Sequence, residues 1–325
     1  MAILREVSEA DRWPVCIRSL QECDLDDADR IFRVAFGTFL GLPKPETFSG
    51  DCNFVRTRWQ ADPSATLGAE VNGRLVGSNF LTRWGSVGFF GPLTVHPSLW
   101  ERGIAKKLMA STVEMLNGWQ LGHAGLFTFG HSPKHVALYQ KFDFWPRFLT
   151  VIMSKAVAVR RTVMDVARFS ALLPDEKSSM LKECFEVTNS IYPGLDVRRE
   201  ILAVEGQRLG DTVLLMEGAQ LLGFAVCHCG AGTEAGSGVC YVKIAAVRPG
   251  RAAEQPFVEL LKNCEEFAAM KGTTRLTVGV NTSRIQAYRS LLAQGFRTEN
   301  QGVVMQRGNE VGYNHEGVYL IDDWR

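Results

Sequence analysis

The chain carries one pattern twice. Val95-His96-Pro97 stands 152 positions before Val247-Arg248-Pro249, and Asp143-Phe144 stands 152 before Gly295-Phe296. An interval kept across a strand, a turn, a helix, a second strand and a second helix marks an internal duplication. Whatever one copy folds into, the other copy must fold into beside it. The 325 residues suit two domains of ordinary size.

The repeated unit mixes helices and strands. Residues 23–41 set Ile31, Val34, Ala35 and Leu40 among polar neighbours, a helical pattern, and 47–63 read as a second helix ending near Pro63. Strand-like runs at 66–71 and 75–84 flank Asn72-Gly73, a strong hairpin signal. A strand over 87–95 and a helix from 104 follow, then a strand over 125–130, a short helix over 132–142 and a strand over 148–155. Residues 156–173 read as a charged, helical connection. The order then restarts with a helix from 174 to about 191, strands over 211–217 and 220–230, and a Gly-rich loop over 230–238. A strand over 239–247, a helix over 257–270, a strand over 275–280 and a helix over 283–294 complete it.

Charge and composition narrow the function. A 46% hydrophobic, 22% charged chain is expected to bury a core. With 36 basic against 35 acidic residues it lacks the broad positive footprint of a nucleic-acid or anionic-membrane binder. No apolar run approaches a membrane span and the opening residues lack a signal-peptide pattern, so a cytoplasmic protein is expected. Of the eight cysteines, none forms a CxxC pair. Alternation along 220–230 puts Cys227 and Cys229 on one strand face and His228 on the other. No second cluster has zinc-like spacing, so buried, reduced thiols and no metal are expected.

The sharpest local feature is "VHPSLWERGIAKKLM" (residues 95–109), where a strand gives way to a helix through a basic, glycine-bearing turn. The first N–H groups of a helix have no partner inside it, and the helix dipole adds partial positive charge there. Gly103 permits close approach, Ala105 adds only a methyl, and Arg102, Lys106 and Lys107 bring charge. Such a turn can hold phosphate. It can equally be an ordinary strand-to-helix connection with solvated lysines, and the stretch by itself supports both readings.

With these residues in hand, each copy resembles the acyl-CoA N-acyltransferase fold of the GCN5-related N-acetyltransferases, the GNAT superfamily. Val95, Pro97, Gly103 and Ala105 match its cofactor motif, and Tyr139, Lys141 and Phe144 match its later Tyr-x-Lys-x-Gly-Phe motif. Trp100, Ser132 and Asp143 depart from it. In the second copy Gln255, Pro256 and Phe257 replace Gly103, Ile104 and Ala105, and Leu291 replaces Tyr139. The resemblance implies an α+β protein of two tandem GNAT folds, each a mixed, mostly antiparallel sheet flanked by helices. It divides the chain into an acetyl-CoA-binding, catalytic domain over 1–153, a linker over 154–172 and a degenerate domain over 173–325.

It further implies that the pantetheine of acetyl-CoA pairs with Leu93, Thr94 and Val95, while Trp100, Glu101, Arg102, Gly103, Ile104, Ala105 and Lys106 wrap its diphosphate. Tyr139 would protonate the departing thiolate. Pro92 cannot donate to a ladder, which fits either a bulge or an edge strand. His131 is the candidate base, against the ordinary reading of a solvent-facing loop histidine. Glu46 and Asp51 read as surface carboxylates beside the acceptor cleft, and Phe36, Phe39, Phe48 and Trp84 read either as its apolar wall or as core. The expected reaction is N-acetyl transfer to a primary amine on a small molecule or peptide, by a monomer, with a dimer as the alternative. A longer acyl donor and a non-catalytic CoA-binding sensor are the rival readings.

Overall fold

The computed structural model describes residues 14–158 and 166–325. The first half runs β1 (Val15–Ser19), α1 (Leu25–Phe39), α2 (Phe54–Ala61), β2 (Thr66–Val71), β3 (Arg74–Trp84), β4 (Val87–Phe90), β5 (Thr94–Val95), α3 (Ile104–Gly118), β6 (His123–Thr128), α4 (Pro133–Gln140) and β7 (Phe144–Ala156). The second half runs α5 (Pro174–Ile191), α6 (Arg198–Gln207), β8 (Gly210–Glu217), β9 (Gln220–Gly230), β10 (Gly236–Val247), α7 (Glu254–Met270), β11 (Arg275–Asn281), α8 (Ile285–Ala293), β12 (Arg297–Arg307) and β13 (Leu320–Ile321). The readings of a signal-free start and of a helical connection fall partly on 1–13 and 159–165, outside the described residues. Within the connection, Phe169–Ala171 make one short 3-10 turn.

Local chemistry accounts for these elements. In α1, Leu25, Ala28, Ile31, Phe32 and Ala35 are buried at intervals of three and four, and Asp26 and Asp27 in the first turn complement the helix dipole. The β2–β3 turn is made by Asn72 and Gly73, both at positive φ (50° and 74°), as a twisted two-residue hairpin requires. The β9 alternation holds: Cys227 packs in the core against Cys240 and Cys264, while His228 faces away beside Lys243.

The sheet path is β1-β2-β3-β4-β6-β12-β7-β11-β10-β9-β8. Along it, β4–β6 and β10–β11 are parallel and the other neighbours antiparallel. The architecture is the expected mixed, mostly antiparallel α+β arrangement in two copies. The halves also trade strands. β7 pairs with β11 from Thr150↔Asn281 to Ala156↔Arg275, and β12 pairs with β6 from Gly125↔Gln306 to Thr128↔Val303. β7 and β12 lie side by side at the centre. Each half therefore completes its sheet with the other's last long strand.

One apolar core lies between α7, α8 and the second half's strands, and another between α3, α4 and the first half's strands. A third joins the halves. It packs Trp84, Val87 and Phe89 with Val187, Ile201 and Val204 of α5 and α6, and with Tyr313 and Trp324.

Candidate active site

The site begins where two parallel strands part. β4 pairs with β6 from Val87↔His123 to Phe90↔Leu126. The chain then leaves the ladder at Gly91-Pro92-Leu93, as Pro92 leads one to expect, and β5 pairs only with β3, through Thr94↔Ser78 and Val95↔Gly77. A cavity of about 1190 Å³ fills the resulting wedge.

Nine of the ten residues expected at the cofactor line it: Leu93, Thr94, Val95, Trp100, Glu101, Gly103, Ile104, Ala105 and Lys106. Arg102 is exposed and does not line it. Gly103 caps α3 at φ 76°, and the space where a Cβ would sit is open. Backbone conformation and close approach, rather than crowding, call for glycine there. The Trp100 N–H donates to the Pro97 carbonyl (3.1 Å) and its indole N–H to the Val95 carbonyl (2.7 Å). Its ring therefore walls the cavity, and the outward N–H groups are those of the α3 first turn. No acidic residue stands in that turn.

Tyr139, on α4, reaches the same wedge from the opposite side. It is 7% exposed, and its ring meets Phe90 edge-on at 5.9 Å. Burial pushes its phenol up to about 12, against a smaller opposing effect of the hydrogen bond with Thr128. The hydroxyl is thus protonated at neutral pH and available as a donor.

In the second half the corresponding edge is filled by the chain itself. β13 pairs with β10 through Ala245↔Ile321 and Ala246↔Leu320, and the Val247 N–H donates to the Tyr319 carbonyl (3.4 Å). Ala245, Ala246 and Val247 stand at the positions of Leu93, Thr94 and Val95. Arg284, at the position of Ser132, donates to the Leu320 carbonyl (2.8 Å) and to Asp322 Oδ1 (2.5 Å), holding the segment down. Tyr319 packs on Phe257, the counterpart of Ala105, at 5.3 Å.

A parted β4/β5 strand, a glycine-capped helix and a buried tyrosine on the next helix coincide with a family match. Residues 30–144 match the model of the acetyltransferase (GNAT) family. Over these residues the chain is similar to the GNAT acyltransferases. Solved structures share the fold over nearly the whole length. One is a Pyrococcus horikoshii protein given provisionally as an acetyltransferase (16% identity, 95% of each chain, TM-score 0.66). Another is a GCN5-related N-acetyltransferase from Sphaerobacter thermophilus (13%, 90% of this chain and 95% of that one, TM-score 0.59). A third is a tandem GNAT protein from the clavulanic acid biosynthesis pathway (14%, 91% and 99%, TM-score 0.55). No curated protein matches the sequence. The GNAT fold binds acyl-CoA as a class, and among the described residues no helix is long and apolar enough to cross a membrane.

The remaining walls of this cavity sort the residues that the sequence left ambiguous. Phe36, Phe39 and Phe48 line it, whereas Trp84 lies in the core between the halves, its indole N–H directed to Glu200 (3.3 Å). Glu46 is exposed and off the cavity, and Asp51 ties down the start of β10 by accepting the Ser237 N–H (2.9 Å). His131 is exposed outside the lining, its ring over Phe39 at 5.9 Å. His135, one α4 turn further on, does line the cavity. Its Nδ1 is buried without a hydrogen-bond partner, and burial, then the charges of His131 and Lys134, hold its pKa below the ordinary histidine value of 6.5.

The floor comes from the second half. Glu234, on the β9–β10 loop, and Tyr241, on β10, line the cavity with Arg325. Arg58 of α2 donates from Nε and Nη2 to the two Glu234 oxygens, both at 3.0 Å, and from Nη1 to the Gly91 carbonyl at 2.5 Å. Lys243 joins Glu234 and Glu200, each at 2.9 Å. Burial alone would raise the Glu234 carboxyl, but Arg58 and Lys243 hold it far below the usual carboxylate range. It is a fixed anion and a poor base. Nothing in the Gly-rich sequence of this loop singles out Glu234 as a cavity residue.

Proposed function

We propose that the chain transfers an acetyl group from acetyl-CoA to a primary amine, with one cofactor held by the first half. The observation that carries this reading is the contrast between the two clefts. The first has an open β5 edge and a glycine-capped helix; the second has β13 on that edge and Phe257 at the helix start. In this reading residues 1–153 form the cofactor-bearing domain, 154–172 the linker, and 173–325 a domain that supplies the floor.

The pantetheine would lie along Leu93 to Val95, and the diphosphate at 100–106, with Arg102 and Lys106 adding charge-assisted contacts. The acceptor nitrogen attacks the thioester carbonyl, the C–S bond breaks, and the Tyr139 hydroxyl gives its proton to the leaving thiolate. The amine proton goes to a neutral imidazole. His131 fills that part on sequence grounds. His135 is favoured by its place in the lining and its lowered pKa. The chain acts in this reading as a cytoplasmic monomer, and light scattering at twice the 36.1 kDa chain mass would overturn that.

Titration calorimetry with acetyl-CoA tests the assignment. One site per chain is expected. Two equivalent sites, or none, would refute it.

A further inference from the structure

The cavity continues past the cofactor turn into an arm whose walls are aromatic. Phe32, Phe36 and Phe39 project from one face of α1, Phe48 comes from the following loop, and Phe129 from the end of β6. Phe36 and Phe48 stack with centroids 5.3 Å apart and planes 10° from parallel. Phe39 and Phe129 lie 5.0 Å apart, and Phe39 meets the His135 ring at 4.8 Å. Phe36, Phe39, Phe48 and Phe129 are only half-buried, so each keeps a face toward the open space. A core packed for its own sake would bury those faces.

Charge decides what kind of amine belongs there. The carboxylates that line the cavity are all already matched by cations of the chain: Glu101 by Lys134, Glu299 by Arg275, and Glu234 by both Arg58 and Lys243. Lys106 and Lys141 add further positive charge to the lining, while Arg325 is paired with Asp323 (3.3 Å). An acceptor with several ammonium groups would find no uncommitted carboxylate among the described lining residues and would meet like charge. A monoamine has one nitrogen to present, and that nitrogen is neutral when it attacks. Its apolar body gains by leaving water for the phenylalanine faces.

We propose that the acceptor is a monoamine on an aromatic or bulky apolar body, held between Phe36, Phe39, Phe48 and Phe129 with its nitrogen toward His135. The idea rests on the acyl-transfer reading above. It names the substrate class of that same cavity.

The test compares acceptors in one assay of CoA release: 2-phenylethylamine and tryptamine against spermidine and an aminoglycoside. The aromatic monoamines should have kcat/KM at least about tenfold higher. Phe39→Ser and Phe48→Ser should each lower kcat/KM for 2-phenylethylamine by roughly 10- to 100-fold, the scale of one lost ring contact surface, mainly through KM. Acetyl-CoA affinity by calorimetry should be unchanged. Phe36→Leu, which keeps the volume of the arm, controls for folding and should lose less. Thermal protection by each amine without cofactor is read alongside. Equal or better turnover of spermidine or the aminoglycoside would overturn the proposal. So would indifference of 2-phenylethylamine kinetics to both serine variants, or silence of every amine while acetyl-CoA binds. If acetyl-CoA fails to bind but 2-phenylethylamine still protects the fold, the acyl-transfer reading falls and the ligand class stands.

Discussion

The two helix starts that follow the central strands differ in a small way with a large consequence. In the first half, Glu101 and Gly103 both take positive φ (66° and 76°), and α3 begins at Ile104 with a methyl-sized neighbour and no acid in its first turn. In the second half, α7 begins at Glu254, two residues earlier by the repeat interval, from a cap at Ala253 with φ −63°. The left-handed turn is gone. Glu254 brings negative charge to the helix start, Pro256 lacks an N–H, and Phe257 is buried under Tyr319. The same fold thus carries a glycine-capped helix start in one copy and a filled one in the other, within a few residues.

Copying one side onto the other tests that difference hardest. Gly103→Gln gives the first turn the second half's residue at a φ that a side chain resists, and it obstructs the phosphate approach. Acetyl-CoA binding is expected to fall below detection by calorimetry, while Gln255→Gly leaves it unchanged. Retained binding in the first variant would show that the turn is not the cradle. Next in size is the tyrosine. Tyr139→Phe keeps the ring and is expected to lower turnover roughly 10²–10⁴-fold with acetyl-CoA affinity intact. Leu291→Tyr, its mirror, should add no activity. A parental rate in Tyr139→Phe would assign the proton to another donor.

The floor, where the halves meet, is a third point of attack. Arg58 and Glu234 side chains are 4% and 0% exposed, so Arg58→Ala leaves a buried anion with only Lys243 for company. A loss of about 3–5 kcal/mol in unfolding free energy is expected. The Glu234 pKa is depressed, so this stabilisation is complete above the ordinary carboxylate value of 4.5 and is lost as pH falls toward the folded value. Denaturant titrations of wild type and Arg58→Ala should converge on acidification. A constant gap would remove Glu234 from the account.

The smallest effect concerns the base. Because the His135 pKa is lowered, its neutral form persists to more acidic pH than a free imidazole. The acid limb of kcat/KM should therefore fall below pH 6.5, and His135→Gln should abolish that limb while His131→Gln leaves it in place. The reverse result would return the part to His131.

Much of this is legible in the sequence. The constant interval disclosed the repeat, Asn72-Gly73 the hairpin, and the turn at Gly103 the asymmetry. Other features carry no local signal. A strand such as β7 reads the same whether its neighbour is β6 or β11, so the exchange is invisible to periodicity. β13 is two residues long, and only its partner makes it a strand. Glu234 sits in a loop with no pattern to read, and its role appears only when Arg58, from a distant helix, meets it. His131 and His135 differ in burial rather than in sequence character. Phe39 packs closer to His135 (4.8 Å) than to His131 (5.9 Å).

The exchanged strands also bear on the history of the chain. A duplicated copy whose cleft is filled would ordinarily be free to decay or be deleted. Here residues 297–307 lie between β6 and β7, so deleting the second copy would leave both strands with bare hydrogen-bonding edges. During synthesis the first half must likewise wait for the last strands before its sheet is closed. The second copy thus serves the first as scaffolding, and its last long strand is the part that the first sheet can least do without.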